Sequence, residues 1–399
     1  GVAVLDSLLA DPDAGVRDAA AFALGLLAER GHASARQALA GAVADPDRRV
    51  GTTAVEALAR GGASLEEVVQ ALLIAPADEL LPRLAPSLFR FEGPSVVRWA
   101  EQGLEAGAER GDPQLRRMAA YGLAREPQPA GAPALRGLLT DDDPWIRGWA
   151  ARGLGRVGDG QDLGRLRPLL DDVAPGPIVQ ALRAGRQLAA AGVGAAPDGW
   201  RGRLLELMED PRPGVRLTAI EASAAWLLDE PMEERLERYA RDGEVREREL
   251  ALLALGEAAS RRLPVLLPTL AGDPAPQVRA AAARIAALAG PAELLGHLAV
   301  DGDGQVRRVA LESLLDLAGA DGQEGLSEEA AQLVASALED DDVGVRAALL
   351  GWAAENPLVP GTVLVQALDR ARRDREIDAR LAAVDALAAR AERAPKERS

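Results

Sequence analysis

Aspartate and arginine recur along this chain at one spacing. Asp11 and Arg17 stand six residues apart in "DPDAGVR", and the interval returns as Asp141 and Arg147, Asp210 and Arg216, Asp273 and Arg279, Asp301 and Arg307, and Asp340 and Arg346. A carboxylate beside a guanidinium is, by residue type, a pair that could serve an active site. Three further features carry the residue types of chemistry. "GLGRVG" at 153–158 has the glycine spacing of a dinucleotide-binding turn. "DGDGQVRRVALE" at 301–312 sets Asp301, Asp303, Gln305 and Glu312 at calcium-loop positions, and His32 and His297 are the two histidines.

Each of these three has a plainer reading. A dinucleotide turn needs a strand before it and a helix after it, whereas "GLGRVG" closes an Ala-rich helical stretch, where glycine relaxes or caps the helix end. The calcium loop requires a sharply turning glycine at its sixth position, and Val306 stands there. The acidic turns Asp141–Asp143 and Asp340–Asp342 read as solvated charge. The histidines lie too far apart to share a site, and neither has zinc or nucleophile spacing. With no cysteine, thiolate ligands and a cysteine nucleophile are excluded. No catalytic residue, cofactor or metal site emerges, and no enzyme is expected.

The Asp–Arg pairs are explained by the elements around them. The copies run "DPDAGVR" (11–17), "DPDRRVG" (45–51), "EGPSVVR" (92–98), "DDDPWIR" (141–147), "DPRPGVR" (210–216), "DPAPQVR" (273–279), "DGDGQVR" (301–307) and "DDDVGVR" (340–346), with shorter "DPQLR" (112–116) and "DGEVR" (242–246). Each is followed by an amphipathic stretch such as Val16, Ala20, Leu24 and Leu27, and preceded by another such as "ASARQALAGAVA" (33–44) or "SEEAAQLVASALE" (327–339). The unit is helix A, acidic turn, helix B, and the period gives about twelve helix pairs. Aspartate in the turn caps helix B, and proline suits its first position. The arginine in the first turn of helix B reaches a carboxylate of its own turn or of the next unit, so the pairs form a ladder along the array. A catalytic pair would be needed once, whereas a solenoid needs its contacts in every repeat. Gly51, Val179 and Asp378 stand near arginine positions, so the ladder is expected to break in the second, sixth and last repeats. "DVAPGPI" (172–178) and "GVGAAPDG" (192–199) point to a bend or irregular stacking near 171–200 of a single solenoid spanning 1–399.

Composition agrees with an all-α fold. The chain is 48% hydrophobic but 3% aromatic, so alanine and leucine make the core and let helices approach closely. Its net charge of −16 opposes sequence-independent attraction to nucleic acid. No apolar run reaches the length of a membrane span. Lys396 is the only lysine, which fits the codon bias of a GC-rich bacterium. The start at Gly1, directly in an apolar stretch, reads as a fragment or processed form. Cytoplasmic location and export after loss of a leader both stay open.

Asp-Pro, then Val-Arg, then an Ala-rich helix resembles the HEAT-repeat family in its short bacterial form, named after the phycobilisome lyases. The resemblance implies an armadillo-like, right-handed superhelix with B helices lining a concave face. It also implies a non-enzymatic scaffold that holds a protein or peptide of unknown identity. "RDAAAFALGLL" (17–27), "TTAVEALARGG" (52–62) and "RRMAAYGLAREP" (116–127) are similar to the HEAT portion of bacterial proteins carrying a cyclophilin-type peptidyl-prolyl isomerase domain. That likeness would make the chain the accessory arm of an enzyme whose catalytic domain lies beyond Ser399. A HEAT-type DNA glycosylase is a further alternative, at odds with the acidic charge.

The rare aromatics mark where copies differ. Trp145 fills a slot held elsewhere by Gly15, Arg49, Gly214, Gln277, Gln305 and Gly344, so it is expected to be exposed. Trp149 follows at i+4, placing the two rings on one face with Arg152. Such a group resembles a protein-binding hot spot, and packing against an adjacent loop is the alternative. Trp99, Trp200, Trp226 and Trp352 sit in apolar stretches and are expected in the core.

Overall fold

The structure is a computed structural model; it describes residues 1–192, 198–226, 229–290, 292–320 and 339–355, with isolated positions between 337 and 385. Among the described residues every element is helical, and the chain is an all-α solenoid of helix pairs in two compact units, Gly1–Ala222 and Ser223–Ser399. The first unit pairs α1 (Val2–Leu8) with α2 (Ala14–Glu29), and α3 (Ala33–Ala42) with α4 (Arg48–Arg60). It continues with α5 (Leu65–Leu72) and α6 (Leu80–Leu84), the latter extended by a 3-10 segment Ala85–Arg90, then α7 (Pro94–Glu109) and α8 (Pro113–Arg125). Next come α9 (Ala132–Leu138) with α10 (Pro144–Val157), α11 (Gly160–Leu166) with α12 (Pro175–Ala190), and α13 (Trp200–Leu207) with α14 (Pro213–Ser223). The second unit holds α15 (Glu230–Asp242) and α16 (Val245–Glu257), α17 (Leu263–Leu270) and α18 (Pro276–Ala289), α19 (Ala292–Leu298) and α20 (Gly304–Ala320), then α21 (Val343–Glu355).

The second helix of each pair starts where a side chain can accept its first amides. Asp13 takes the Gly15 and Val16 amides ahead of α2, and Asp112 takes those of Gln114 and Leu115 ahead of α8. Pro113, Pro144 and Pro175 open their helices at a position whose missing donor has no partner to lose. One face of each helix is apolar and closely approached: α2 buries Ala20, Ala21, Leu24 and Ala28, and α4 buries Val50, Ala54, Val55 and Leu58. Several of these helices end through a left-handed residue that lets the chain reverse. Gly31 has φ +86° and is followed by the His32 amide reaching back to the Leu27 carbonyl. Ala259 adopts φ +50° in the same kind of turn, where the Ser260 amide reaches the Leu255 carbonyl. A Cβ in that region is strained, so Ala259→Gly is expected to stabilise the protein by about 0.5–1 kcal/mol, read as a higher urea midpoint.

Two expectations about register change. "EGPSVVR" at 92–98 does not open a second helix. It opens α7, whose N-cap Gly93 offers no side chain, and α7 is the first helix of the pair completed by α8 after "DPQLR". Valine and arginine fall at the motif spacing there by coincidence of an amphipathic helix start. In the turn 172–178 Ala174 is the N-cap and Ile178, not Val179, occupies the arginine position. Within the expected irregular region, α12 runs regularly to Ala190, and 193–197 lie outside the described residues. Most of 327–339, and most of the chain around Asp378, also lie outside them. Trp200 and Trp226 are core residues, while Trp99 is half-buried beneath the Arg98 guanidinium and half-buried Trp352 donates to Asp316 at 3.0 Å. Among the described residues no helix is long and apolar enough to cross a membrane.

Candidate functional site

The recurring arginine joins one repeat to the next. Arg17 grips the Asp45 carboxylate of the following repeat with two hydrogen bonds of 2.7 and 2.8 Å, while its third nitrogen donates to the Asp11 carbonyl at 3.0 Å. Arg147 repeats this on Asp172 at 2.7 and 2.9 Å and on the Asp141 carbonyl at 2.6 Å. In the second unit Arg248 grips Asp273, Arg279 grips Asp301 and Arg307 grips Asp340, with each pair bidentate at 2.6–2.8 Å. Arg279 and Arg307 return a nitrogen to the carbonyls of Asp273 and Asp301, both at 2.8 Å. Arg216 and Arg346 donate to the carbonyls of Asp210 and Asp340 at 2.9 and 2.7 Å.

The first aspartate of the motif is thus not the helix cap. Asp11 accepts the Asp13 amide at 2.8 Å, and Asp13 does the capping; Asp141 with Asp143, Asp301 with Asp303, and Asp340 with Asp342 divide the work in the same way. The first carboxylate is thereby held by its own turn while its outer oxygens face the preceding arginine. The hydrogen bonds from arginine hold Asp45, Asp301 and Asp340 below the ordinary carboxylate range despite partial burial. For Asp172 and Asp273 burial is the largest influence and pushes upward, but arginine and backbone donors together outweigh it and the net direction is down.

Where an arginine is missing, the following repeat supplies one. At Gly51 a Cβ would collide with the Arg83 guanidinium and lie 2.8 Å from the Val43 carbonyl oxygen. Arg83 fills that space from α6, donating to the Val43 carbonyl at 2.7 Å, and Arg48 holds Glu79 beside it. At Ile178 the same place is taken by Arg212, which grips Asp210 at 2.7–2.8 Å and donates to the Val173 carbonyl at 3.3 Å. Arg110 serves the Asp78 carbonyl at 2.8 Å. The expected breaks at the second and sixth repeats are therefore closed. First helices have joints of their own: Arg136 of α9 bonds Asp162 and Asp159 at the start of α11, and Arg262 meets Glu230, Glu233 and Glu237 of α15.

A second feature lies on the exposed side of the 3-10 segment after α6 and of α8 and α10. Trp145 is 60% exposed, and its ring lies 6.0 Å from that of half-buried Trp149. Trp149 meets Tyr121 of α8 edge-on at 5.4 Å, and Tyr121 meets Phe89 at 5.3 Å. Arg90 caps the row, its guanidinium 4.7 Å from the Phe89 ring centre. Four of the chain's eleven aromatic residues thus form one continuous row over three repeats.

A family model of HEAT repeats matches residues 2–84 and 101–184. Those two stretches carry HEAT repeats. The chain is similar over 98% of its length to 98% of an engineered protein at 18% identity, with a TM-score of 0.37. It is also similar to Kap95p in its complex with RanGDP, at 13% identity over 99% of this chain and 62% of that one, with a TM-score of 0.46. Kap121p bound to the extreme C-terminus of the phosphatase Cdc14p gives 13% identity over 97% and 51%, with a TM-score of 0.45. No curated protein matches the chain.

On the solenoid the other sequence motifs resolve into structure. "GLGRVG" is the last part of α10: Gly153 faces Leu135, and Gly155 lies where α10 meets α12, a Cβ there falling 2.8 Å from the Ala184 Cα. Glycine to alanine inside a helix ordinarily adds about 1 kcal/mol. At Gly155 the sign should reverse, with a loss of about 1–3 kcal/mol by urea denaturation, whereas Gly164→Ala, with open space around it, should stabilise. In 301–312, Asp301 is gripped by Arg279, Asp303 caps α20 and Glu312 faces Arg308, so those carboxylates are engaged separately. His32 is the N-cap residue of α3 and His297 lies in α19. Among the described residues no three His, Asp or Glu side chains gather as metal ligands. Arg152 does not stack on Trp145 or Trp149 and makes no ion pair with a described residue. Sequence reasoning missed Tyr121 and Phe89 as the continuation of the tryptophan pair; their rarity was the available signal.

Proposed function

We propose that the protein is a non-catalytic scaffold that holds a protein or peptide segment against an exposed aromatic row on its second helices. The row Phe89, Tyr121, Trp149 and Trp145 carries this reading. Helix packing does not require an indole that is 60% exposed, and aromatic side chains supply large contact area at low entropic cost. The recurring Asp–Arg pairs support it from the other side, since their hydrogen-bonding capacity is taken up in joining repeats. The test is affinity capture from the native host with wild type and with Trp145→Ala/Trp149→Ala. The double variant should keep its helical circular dichroism and lose the captured partner. Unchanged recovery would remove this row as the binding site.

A further inference from the structure

We infer that the occupant of this row is an acidic segment in extended conformation, carrying one apolar residue for the aromatic row and two carboxylates for Arg152 and Arg183. The inference rests on the scaffold reading and specifies its partner. Tyr121, Arg152 and Arg183 each stand nine residues after the N-cap of α8, α10 and α12, so they occupy one position on consecutive helices. Those helices run side by side: Gly148 lies against Gly176 and Pro177, and Gly155 lies against Ala184, at one constant offset. Arg183 is exposed and Arg152 half-buried. Neither makes a hydrogen bond or ion pair with another described residue, whereas Arg116, Arg117, Arg147 and Arg156 on neighbouring turns are all engaged. In a chain of net charge −16, two cations left open beside an aromatic row are complementary to carboxylates.

Helix spacing sets the pattern of the ligand. Packed helices lie about 8–10 Å apart, and an extended chain advances about 3.3–3.6 Å per residue. Carboxylates three residues apart therefore match Arg152 and Arg183, and an apolar residue about three positions earlier falls over α8 at Tyr121, against which Trp149 packs edge-on. The whole contact spans roughly seven residues. A single strand of nucleic acid offers phosphates and stacking bases to the same groups, but it carries a charge on every nucleotide, so the net charge of −16 opposes it more strongly than a segment with two carboxylates.

The experiment is a fluorescence-anisotropy titration of the full chain with three labelled probes. The first is an octapeptide with Leu at position two and Asp at positions five and eight; the second has Asn in place of both Asp; the third is an eight-nucleotide oligothymidine. The Asp peptide should bind at least tenfold more tightly than the Asn peptide in low salt. That margin should disappear in Arg152→Ala/Arg183→Ala, whose helical dichroism is unchanged. Equal binding of the two peptides, or a margin that survives the double variant, overturns the inference. Tighter binding of the oligonucleotide overturns it in favour of nucleic acid. If the Asn peptide binds as well as the Asp peptide and both are lost in Trp145→Ala/Trp149→Ala, the charge assignment fails while the scaffold reading stands. If neither peptide binds and host capture is unchanged in that variant, both fail.

Discussion

Replacing Arg83 with alanine is expected to destabilise the protein by about 3–5 kcal/mol, and adding Gly51→Arg to that variant is expected to restore part of the loss, the Val43 carbonyl still crowding the new Cβ. The Arg83 side chain is 2% exposed, and its guanidinium serves the Val43 carbonyl and Glu79. Its removal leaves a buried acceptor without its donor and a void between two repeats. Gly51→Arg alone should also destabilise, by about 1–3 kcal/mol, because the new Cβ meets the resident guanidinium and the Val43 carbonyl. With Arg83 gone, an arginine at position 51 stands six residues after Asp45, as Arg17 stands after Asp11, with Glu79 in the next repeat. Urea midpoints of the four proteins decide the matter. A double variant as unstable as the sum of the singles would show that Arg83 does not stand in for the missing residue.

Arg147→Ala is the second large effect, a loss of about 2–4 kcal/mol at pH 7. The pair it breaks is 18% and 7% exposed at Arg147 and Asp172, and the same change strips the Asp141 and Asp142 carbonyls of their donor. The loss should depend on pH with a defined sign. Burial pushes the Asp172 carboxyl up, but the Arg147 hydrogen bonds, the Ala174 amide and the arginine charge outweigh it and hold the carboxyl low in the folded state. A carboxylate lowered by folding contributes stability that is complete above its unfolded value, near 4, and is lost as pH falls through the folded value. The gap between wild type and Arg147→Ala should thus be widest near neutrality and narrow below about pH 4. A gap constant from pH 7 to pH 3 would mean that the arginine acts through packing alone.

The helix-pair fold was legible because the same turn occurs so many times that no single degenerate copy could hide it. The register of 92–98 was misread for the same reason. Val97 and Arg98 satisfy the spacing, but the preceding Glu92, Gly93 and Pro94 provide no aspartate cap, and a capped start follows at Asp112. The division of labour between Asp11 and Asp13 is a matter of turn geometry that composition cannot rank, since both are aspartate. Arg83 and Arg212 were invisible as substitutes because they act across the boundary between repeats, and only the folded arrangement brings each to a carbonyl it is far from in sequence. The exposed Trp145 could be read from its slot, whereas its continuation through Tyr121 to Phe89 depends on which helices become neighbours.

If the recurring Asp–Arg pairs are the joints of the array, removing either member of one pair must weaken the other's contribution. A double-mutant cycle of Arg147→Ala and Asp172→Ala, followed by urea denaturation at pH 7, measures this directly. The predicted result is a coupling of about 1–3 kcal/mol, with the double variant scarcely less stable than the worse single. Losses that add to within about 0.3 kcal/mol would contradict the ladder as the structural purpose of the motif.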